Sequence, residues 1–456
     1  MASISEQLAS YYLNFDKKKL PQEVLEKAKN VVLDYLGCLI GGAGLESSKI
    51  VTETFLSMGG AEEATLNGGV KTTCDNAAFI NGVASHGLEV DDMSSASGGH
   101  PAVAIIPAAI AMAEKQKSSG FELLMAVIWG YDLMTRVGSA ADPDREFERG
   151  WHPTATNGIF GATIAVAYLM KLDEKQIVNA LGIAGGFASG NLECYADGSL
   201  TKRLNPGNAA RGAIIACELA SRGYTGPRWI FEGKSGFLRG YTDGAVPEKM
   251  LQQMDYTWYP IMLACFKPYA CCRYNHSPID ATLDIIKKNG VDFNDVEEIT
   301  IDVVSMALRA VVEPREIKYN PPNVVGAQFS LPYSVAVAMV RRRAFIEEYT
   351  DEMLVNPEVR AMMEKVNIVH TGKMDHYLPQ FFAAEATIHL KDGTVYTSFV
   401  KHTKGDPENP MTWEEIEEKF VTLAKLTISS EERIRKIVEC VNKLDKMNVA
   451  DLCQLL

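Results

Sequence analysis

The chain has 456 residues, 47% hydrophobic and 23% charged, with a formal net charge of −13 at pH 7. That length exceeds the size at which a single core stops growing, so two domains are expected. The acidic balance excludes the basic face of a nucleic-acid binder, and no apolar run is long enough to span a membrane. The N-terminus lacks a basic-then-apolar signal pattern. Nine scattered cysteines, an odd count, fit free thiols in a reducing compartment, so a cytoplasmic protein is expected.

In chain order, MASISEQLASYYLNFDKKKL reads as a short amphipathic helix ending in a lysine run. PQEVLEKAKNVVLDYLGCLIGG predicts a helix that starts near Pro21 and closes on Gly41-Gly42. Ser119 with Glu122, and Asp173 with Gln176, read as capping boxes before apolar-periodic runs. HPAVAIIPAAIAMAEKQ, GIFGATIAVAYLMK and ALGIAGGFASG place small residues at helical spacing, which lets helices approach closely. In DGSLTKRLNPGNAARGAIIACELASRGYTGP, Asn205 reads as an N-cap and Pro206 as the first helical residue. Lys202 and Arg203 would then flank unpaired backbone N–H groups, a natural anion site. Neither GxGxxG nor GxxxxGK[ST] occurs.

The texture changes near residue 265. VEEITIDVVS (296–305) and EKVNIVHT (364–371) read as strands, and AAEATIHLKDGTVYTSFVKH (383–402) as a hairpin turning at Asp392-Gly393. Thr412 with Glu415, and Ser429 with Glu432, then cap two terminal helices. The expected architecture is mainly α. It has a large, discontinuous all-helical domain over 1–266 and 404–456, and a smaller α+β lid domain over 267–403.

Polar groups recur in apolar surroundings. His86, Glu89, Asp91 and Asp92 precede Gly98-Gly99-His100-Pro101, and His152 lies in GWHPTATNGIFGA. Lys267, Arg273 and His276 lie in FKPYACCRYNHSPID, and Tyr319 in KYNPPN. A lone histidine is usually structural, an Asp-Asp pair a solvated cap, and an arginine at a domain boundary a salt bridge. What lifts the set is that His100 and His152 each precede a proline and a small-residue helix, so both are expected to face one cavity. Histidine titrates near neutrality, and lysine and arginine suit carboxylates. Together they point to proton abstraction beside a carboxylate, with cations stabilising the developing dianion. Asp91, Asp92, His100 and His152 could ligate a divalent ion. No HxH or HxxxH pair exists, however, and nearby lysines would repel a metal, so none is expected. A Ser-His-Asp hydrolase lacks its GxSxG elbow.

The blocks VLDYLGCLIGG, DD…GHP…PAAIAMAE, GWHPTATNGIFGA, SLTKRLNPGNAARGAIIACELASRGYTGP, KPYACCRYNHSPID and AQFSLPYSVA, in this order, resemble the MmgE/PrpD family along nearly the whole chain. That family contains 2-methylcitrate dehydratase, cis-aconitate decarboxylase and iminodisuccinate epimerase. The resemblance implies a large helical domain with an α+β lid, a homodimer, and neither metal nor organic cofactor. Carried over by position, His100, His152, Lys202 and His276 match catalytic residues. Tyr319 matches a lid tyrosine, and Glu89 stands near a decarboxylase aspartate. Glu89, Asp91, Arg203, Lys267, Arg273 and Tyr319 are the substrate-binding candidates. Decarboxylases of the family carry His-Pro soon after DD, as in DDTWHP, where this chain has DDMSSASGGHP; that spacing is at least as compatible with the dehydratase and epimerase members. The expected function is a cofactor-independent lyase of a small di- or tricarboxylate, by 2-methylcitrate-like dehydration or cis-aconitate-like decarboxylation. A dicarboxylate epimerase and a non-enzymatic carboxylate-binding protein are the alternatives.

Overall fold

The computed structural model describes residues 2–378 and 380–456, with the backbone alone at 196–197. Helix accounts for 59% and strand for 8%, so the chain is mainly α. Two compact units divide it: Met1–Cys265 with Thr412–Leu456, and Phe266–Met411. Residues 404–411, grouped above with the helices, are bonded inside the second unit. Phe266 N–H donates to the Gly405 carbonyl at 3.0 Å, and Lys404 N–H to Asp280 at 2.8 Å.

In the first unit, the helix Pro101–Lys115 is buried at every residue from 101 to 113. It packs on the helices Cys74–Ser85, Gly120–Ala141, Gly158–Leu169 and Thr201–Ser221. Small residues permit this. A Cβ on Gly82 would lie 2.7 Å from the Gly207 Cα, so two of these helices meet backbone to backbone. The same need explains a departure from expectation. Gly41 and Gly42 do not end their helix, which runs from Gln22 to Ala43. A Cβ on Gly42 would sit 1.9 Å from the Ala84 carbonyl oxygen, so this glycine serves close approach.

A second departure concerns Asn205-Pro206. The helix begins at Thr201, and Pro206 lies inside it. Proline there has no N–H to give the Lys202 carbonyl, and the packing of this helix on Cys74–Ser85 and Gly158–Leu169 offsets that loss. The capping boxes at Ser119, Asp173 and Thr412 are present. The cap expected at Ser429 falls one residue on: the Ser430 hydroxyl accepts the Arg433 N–H, so Ser429 and Glu432 form no box. The helix Trp413–Ala424 lies along Gln22–Ala43, which makes the helical unit discontinuous. This unit also holds a small hairpin of β1 (Ala64–Thr65) and β2 (Lys71–Thr72), strands too short for alternation to reveal them.

The second unit carries β3 (Val296–Val303), β4 (Val366–Val369), β5 (Ala384–Leu390) and β6 (Val395–Val400) in the order β4-β3-β5-β6. β3 and β4 are parallel; the other pairs are antiparallel. The β5–β6 hairpin turns at Asp392-Gly393, where Gly393 takes φ 88°. The helix His276–Asn289 packs on β5 and β6. Among the described residues no helix is long and apolar enough to cross a membrane, and none of the nine cysteines forms a disulfide.

Gly42→Ala is expected to overpack the contact with Ala84 and destabilise the chain by about 1–3 kcal/mol. The reading is a lower urea midpoint with an unchanged m value.

Candidate active site

The helix Cys74–Ser85 ends at His86, and the chain then passes through Glu89, Asp91 and Asp92 before His100 opens the helix Pro101–Lys115. His86, Glu89, Asp91 and Asp92 are all buried. A buried carboxylate needs donors, and those of Asp91 are imidazoles. Its Oδ2 lies 2.8 Å from His86 Nδ1 and 3.0 Å from His100 Nδ1. His100 Nδ1 also lies 2.7 Å from the Asp92 carbonyl oxygen. Carbonyls and carboxylates only accept, so both rings carry their proton on Nδ1. Burial opposes the charge on Asp91, but the two imidazoles facing it outweigh burial and hold the carboxyl well below the usual range.

Asp92 goes the other way. Burial pushes it up to about 7, and the negative charges of Asp34 and Asp91 add to the effect. Its own donors are neutral: the Tyr131 hydroxyl at 2.5 Å and the Ala102 N–H at 3.0 Å. Asp92 therefore pins the start of the Pro101–Lys115 helix, while Asp91 orients two rings.

Glu89 takes φ 58°, in the left-handed region that non-glycine residues rarely enter. Its carboxylate pairs with the Lys202 ammonium, and both side chains are buried. Lys202 sits in the first turn of Thr201–Ser221, so its own charge, more than a helix end beside it, meets the anion. His152 precedes the short helix Pro153–Thr156. The two His-Pro starts touch: His100 N–H donates to Thr154 Oγ1 at 3.2 Å. A Cβ on Gly99 would fall 2.7 Å from the Thr154 nitrogen, which accounts for glycine ahead of His100. The His86 ring lies 5.0 Å from that of His100 and 5.7 Å from that of His152. Burial and the nearby Lys202 push His86 down to about 4. Burial, with His86, Lys202 and His100 around it, likewise holds His152 well below the usual histidine range.

His86, Asp91 and His100 bring three possible metal-ligand atoms within 4.8 Å of one another. The separations of 2.8 and 3.0 Å are hydrogen-bond lengths. Ligand atoms about 2.1 Å from one tetrahedral ion stand about 3.4 Å apart. Both Nδ1 protons would also have to leave. The trio fits a hydrogen-bonded chain better than a metal site.

The other candidates are placed as follows. Arg203 donates to Ser47 Oγ at 2.8 Å, and burial lowers its pKa. Lys267, Arg273, His276 and Tyr319 belong to the second unit. Lys267 and His276 are buried there. Arg273 pairs with Asp406. His276 Nε2 lies 3.3 Å from the Cys271 carbonyl, and its ring stands edge-on to Tyr269 at 5.2 Å. The Tyr319 hydroxyl donates to the Val366 carbonyl at 2.8 Å, and its ring holds the Arg315 guanidinium at 3.9 Å. Glu89, Asp91, His100, His152 and Lys202 thus come together in the first unit around His86.

Two contributors escaped the sequence reading. Asn205, read as a cap, puts its amide nitrogen 3.1 Å from His152 Nδ1. Lys419 places its ammonium 2.6 Å from Asp34 and 2.6 Å from the Val90 carbonyl, tying down the Glu89–Asp92 loop. Its signal was present. Lys419 stands in the buried stripe of Ile416, Phe420 and Leu423, where a lysine needs a partner.

Family models match nearly end to end: the MmgE/PrpD N-terminal domain over residues 6–250 and the MmgE/PrpD C-terminal domain over 269–443. The cis-aconitate decarboxylase of Aspergillus terreus (strain NIH 2624 / FGSC A1156) is 27% identical over 477 residues, spanning 100% of this chain and 96% of that protein. The cis-aconitate decarboxylase of Homo sapiens is 26% identical over 464 residues, 98% of this chain and 94% of its own. That of Mus musculus is 24% identical over 458 residues, 98% and 92% respectively.

Lys419→Met strands Asp34 as a buried charge, so a loss of about 3–5 kcal/mol is expected in urea unfolding. Adding Asp34→Asn to the same chain should recover part of it. For Asp92, the folded pKa of about 7 lies above the unfolded 3.8. The folded state therefore holds an extra proton between these values. The associated stability is complete below the unfolded pKa and lost as pH rises through 7. The stability difference between wild type and Asp92→Asn should shift in favour of the variant from about pH 4 to about pH 8; equal pH slopes would contradict the assignment.

Proposed function

The chain belongs to the MmgE/PrpD family, and we propose that it is a cytoplasmic, homodimeric lyase that decarboxylates a small unsaturated tricarboxylate of the cis-aconitate kind. It does so without a metal or organic cofactor. One observation carries the reading: the buried Lys202–Glu89 pair stands beside three clustered imidazoles, in a chain similar over its whole length to cis-aconitate decarboxylases.

The chemistry follows from charge. Breaking a C–CO₂ bond releases neutral CO₂ and leaves an electron pair on carbon. Lys202 holds a substrate carboxylate and stabilises that negative charge, as fixed cations in a dry site do. His100 or His152 then delivers a proton to carbon. A second reading is dicarboxylate epimerisation. It is favoured by the stretch 93–99, which separates Asp92 from His100 by more than the DDTWHP pattern does.

An NMR screen of di- and tricarboxylates in deuterated water tests both. Decarboxylation yields CO₂ and a deuterated product, whereas epimerisation puts deuterium into recovered substrate. Lys202→Ala should lower kcat/KM by at least about 10²–10³-fold in the protein that folds, with some loss of melting temperature because Glu89 loses its buried partner. Unchanged turnover in that variant would sink the proposal.

A further inference from the structure

His100 and His152 head matching His-Pro helix starts, yet their rings are wired in opposite senses. His100 Nδ1 faces two acceptors, the Asp91 carboxylate and the Asp92 carbonyl, so it carries a proton and leaves Nε2 as the basic nitrogen. His152 Nδ1 faces the amide of Asn205 at 3.1 Å. Which end of that amide it meets is settled by a third group. The same Asn205 Nδ2 lies 3.2 Å from the Asn191 carbonyl oxygen, and only the NH₂ end can face a carbonyl. His152 Nδ1 is therefore an acceptor, and its proton sits on Nε2. The backbone agrees: His152 N–H donates to the Gly190 carbonyl at 3.0 Å, and Trp151 pairs with Asn191. Asn205 thus clasps both members of the 151–152/190–191 pairing from the helix that carries Lys202.

We infer that Asn205 is a positioning residue that holds His152 as the Nε2–H tautomer, so that this ring donates a hydrogen bond to a substrate oxygen while His100 carries the proton. The roles rest on the lyase reading above; the tautomers do not. Behind His100 stands an ionised carboxylate, which stabilises the imidazolium formed when Nε2 takes a proton. Behind His152 stands a neutral amide, and the ring is buried among His86, His100 and Lys202, so it stays neutral. A neutral imidazole is a good hydrogen-bond donor and a poor source of protons. The step balances. The C–CO₂ bond breaks, CO₂ departs, and the electron pair left on carbon takes the Nε2 proton of the His100 imidazolium. The neutral ring then regains a proton from water, and the hydroxide left over combines with the CO₂ as bicarbonate.

Selective ¹⁵N-histidine labelling of the full chain, read by long-range ¹H–¹⁵N correlation, reports each tautomer without turnover. His152 is expected protonated at Nε2, and His100 and His86 at Nδ1. Asn205→Asp keeps the shape but offers His152 Nδ1 an acceptor. It should move the His152 proton to Nδ1 and lower kcat at least about 10²-fold with KM little changed, in the range lost with a misplaced proton. It should also be more damaging than Asn205→Ala, whereas a purely structural role would rank the isosteric change as milder. A wild-type His152 protonated at Nδ1, or Asn205→Asp with an unmoved proton and unchanged kcat, overturns the inference. A wild type that turns over no carboxylate defeats the lyase reading instead, and the nitrogen shifts tell the two failures apart.

Discussion

One ionised carboxylate, Asp91, organises the site. By accepting from His86 and His100 at once, it fixes the orientation and the proton position of two rings. It also resolves a crowding problem. Glu89, Asp91 and Asp92 lie within four residues and are all buried, and three bare charges so close would repel strongly in a low-dielectric interior. Each is treated differently. Asp91 is held by imidazoles, Glu89 by the Lys202 ammonium, and Asp92 by neutral donors, with burial pushing its pKa up to about 7. The loop carries its negative charge because each of the three acids has its own donors.

The two His-Pro starts show how one backbone device serves two ends. Proline at the first helical position forces the residue before it into extended geometry. His100 (φ −108°, ψ 90°) and His152 (φ −100°, ψ 99°) accordingly have nearly the same backbone. What differs is the group behind each ring, a carboxylate in one case and an amide in the other. The proton position on each ring is set by that second residue, which for His100 lies in the same loop and for His152 lies 53 positions on.

Local signals were legible. Capping boxes, the Asp392-Gly393 turn and the return of helices after residue 412 can be read from a few neighbouring residues, and so can the mainly helical class. His100, His152 and Lys202 also stood out, because each is a charged or titratable group at the edge of a small-residue helix. Choices between equally good local options were not legible. Proline favours the first turn but tolerates a later one, so Pro206 gave no sure boundary. Gly41-Gly42 fits both a helix end and a helix contact, and only the Ala84 carbonyl decides. Asp91 and Asp92 are chemically identical neighbours, and their opposite proton affinities are set by the His86 and His100 imidazoles that face Asp91 and by the burial of Asp92 near the charge of Asp34. Asn205 looked like a cap because its real partners, His152 and Asn191, are distant in the chain.

Lys419 anchors the Glu89–Asp92 loop at Val90 from 329 positions later in the chain. Translation proceeds from the N-terminus, and domains tend to fold as they emerge. The loop that bears three acids is thus made early and waits for its anchoring ammonium until 329 further residues have been added. The helix that carries Lys419 also brings Ile416, Phe420 and Leu423 to the core, so the loop gains its anchor as that part of the core closes. Catalytic competence in this fold is therefore an event in time as well as in space: a nascent chain carries every acid of the site long before it can use them.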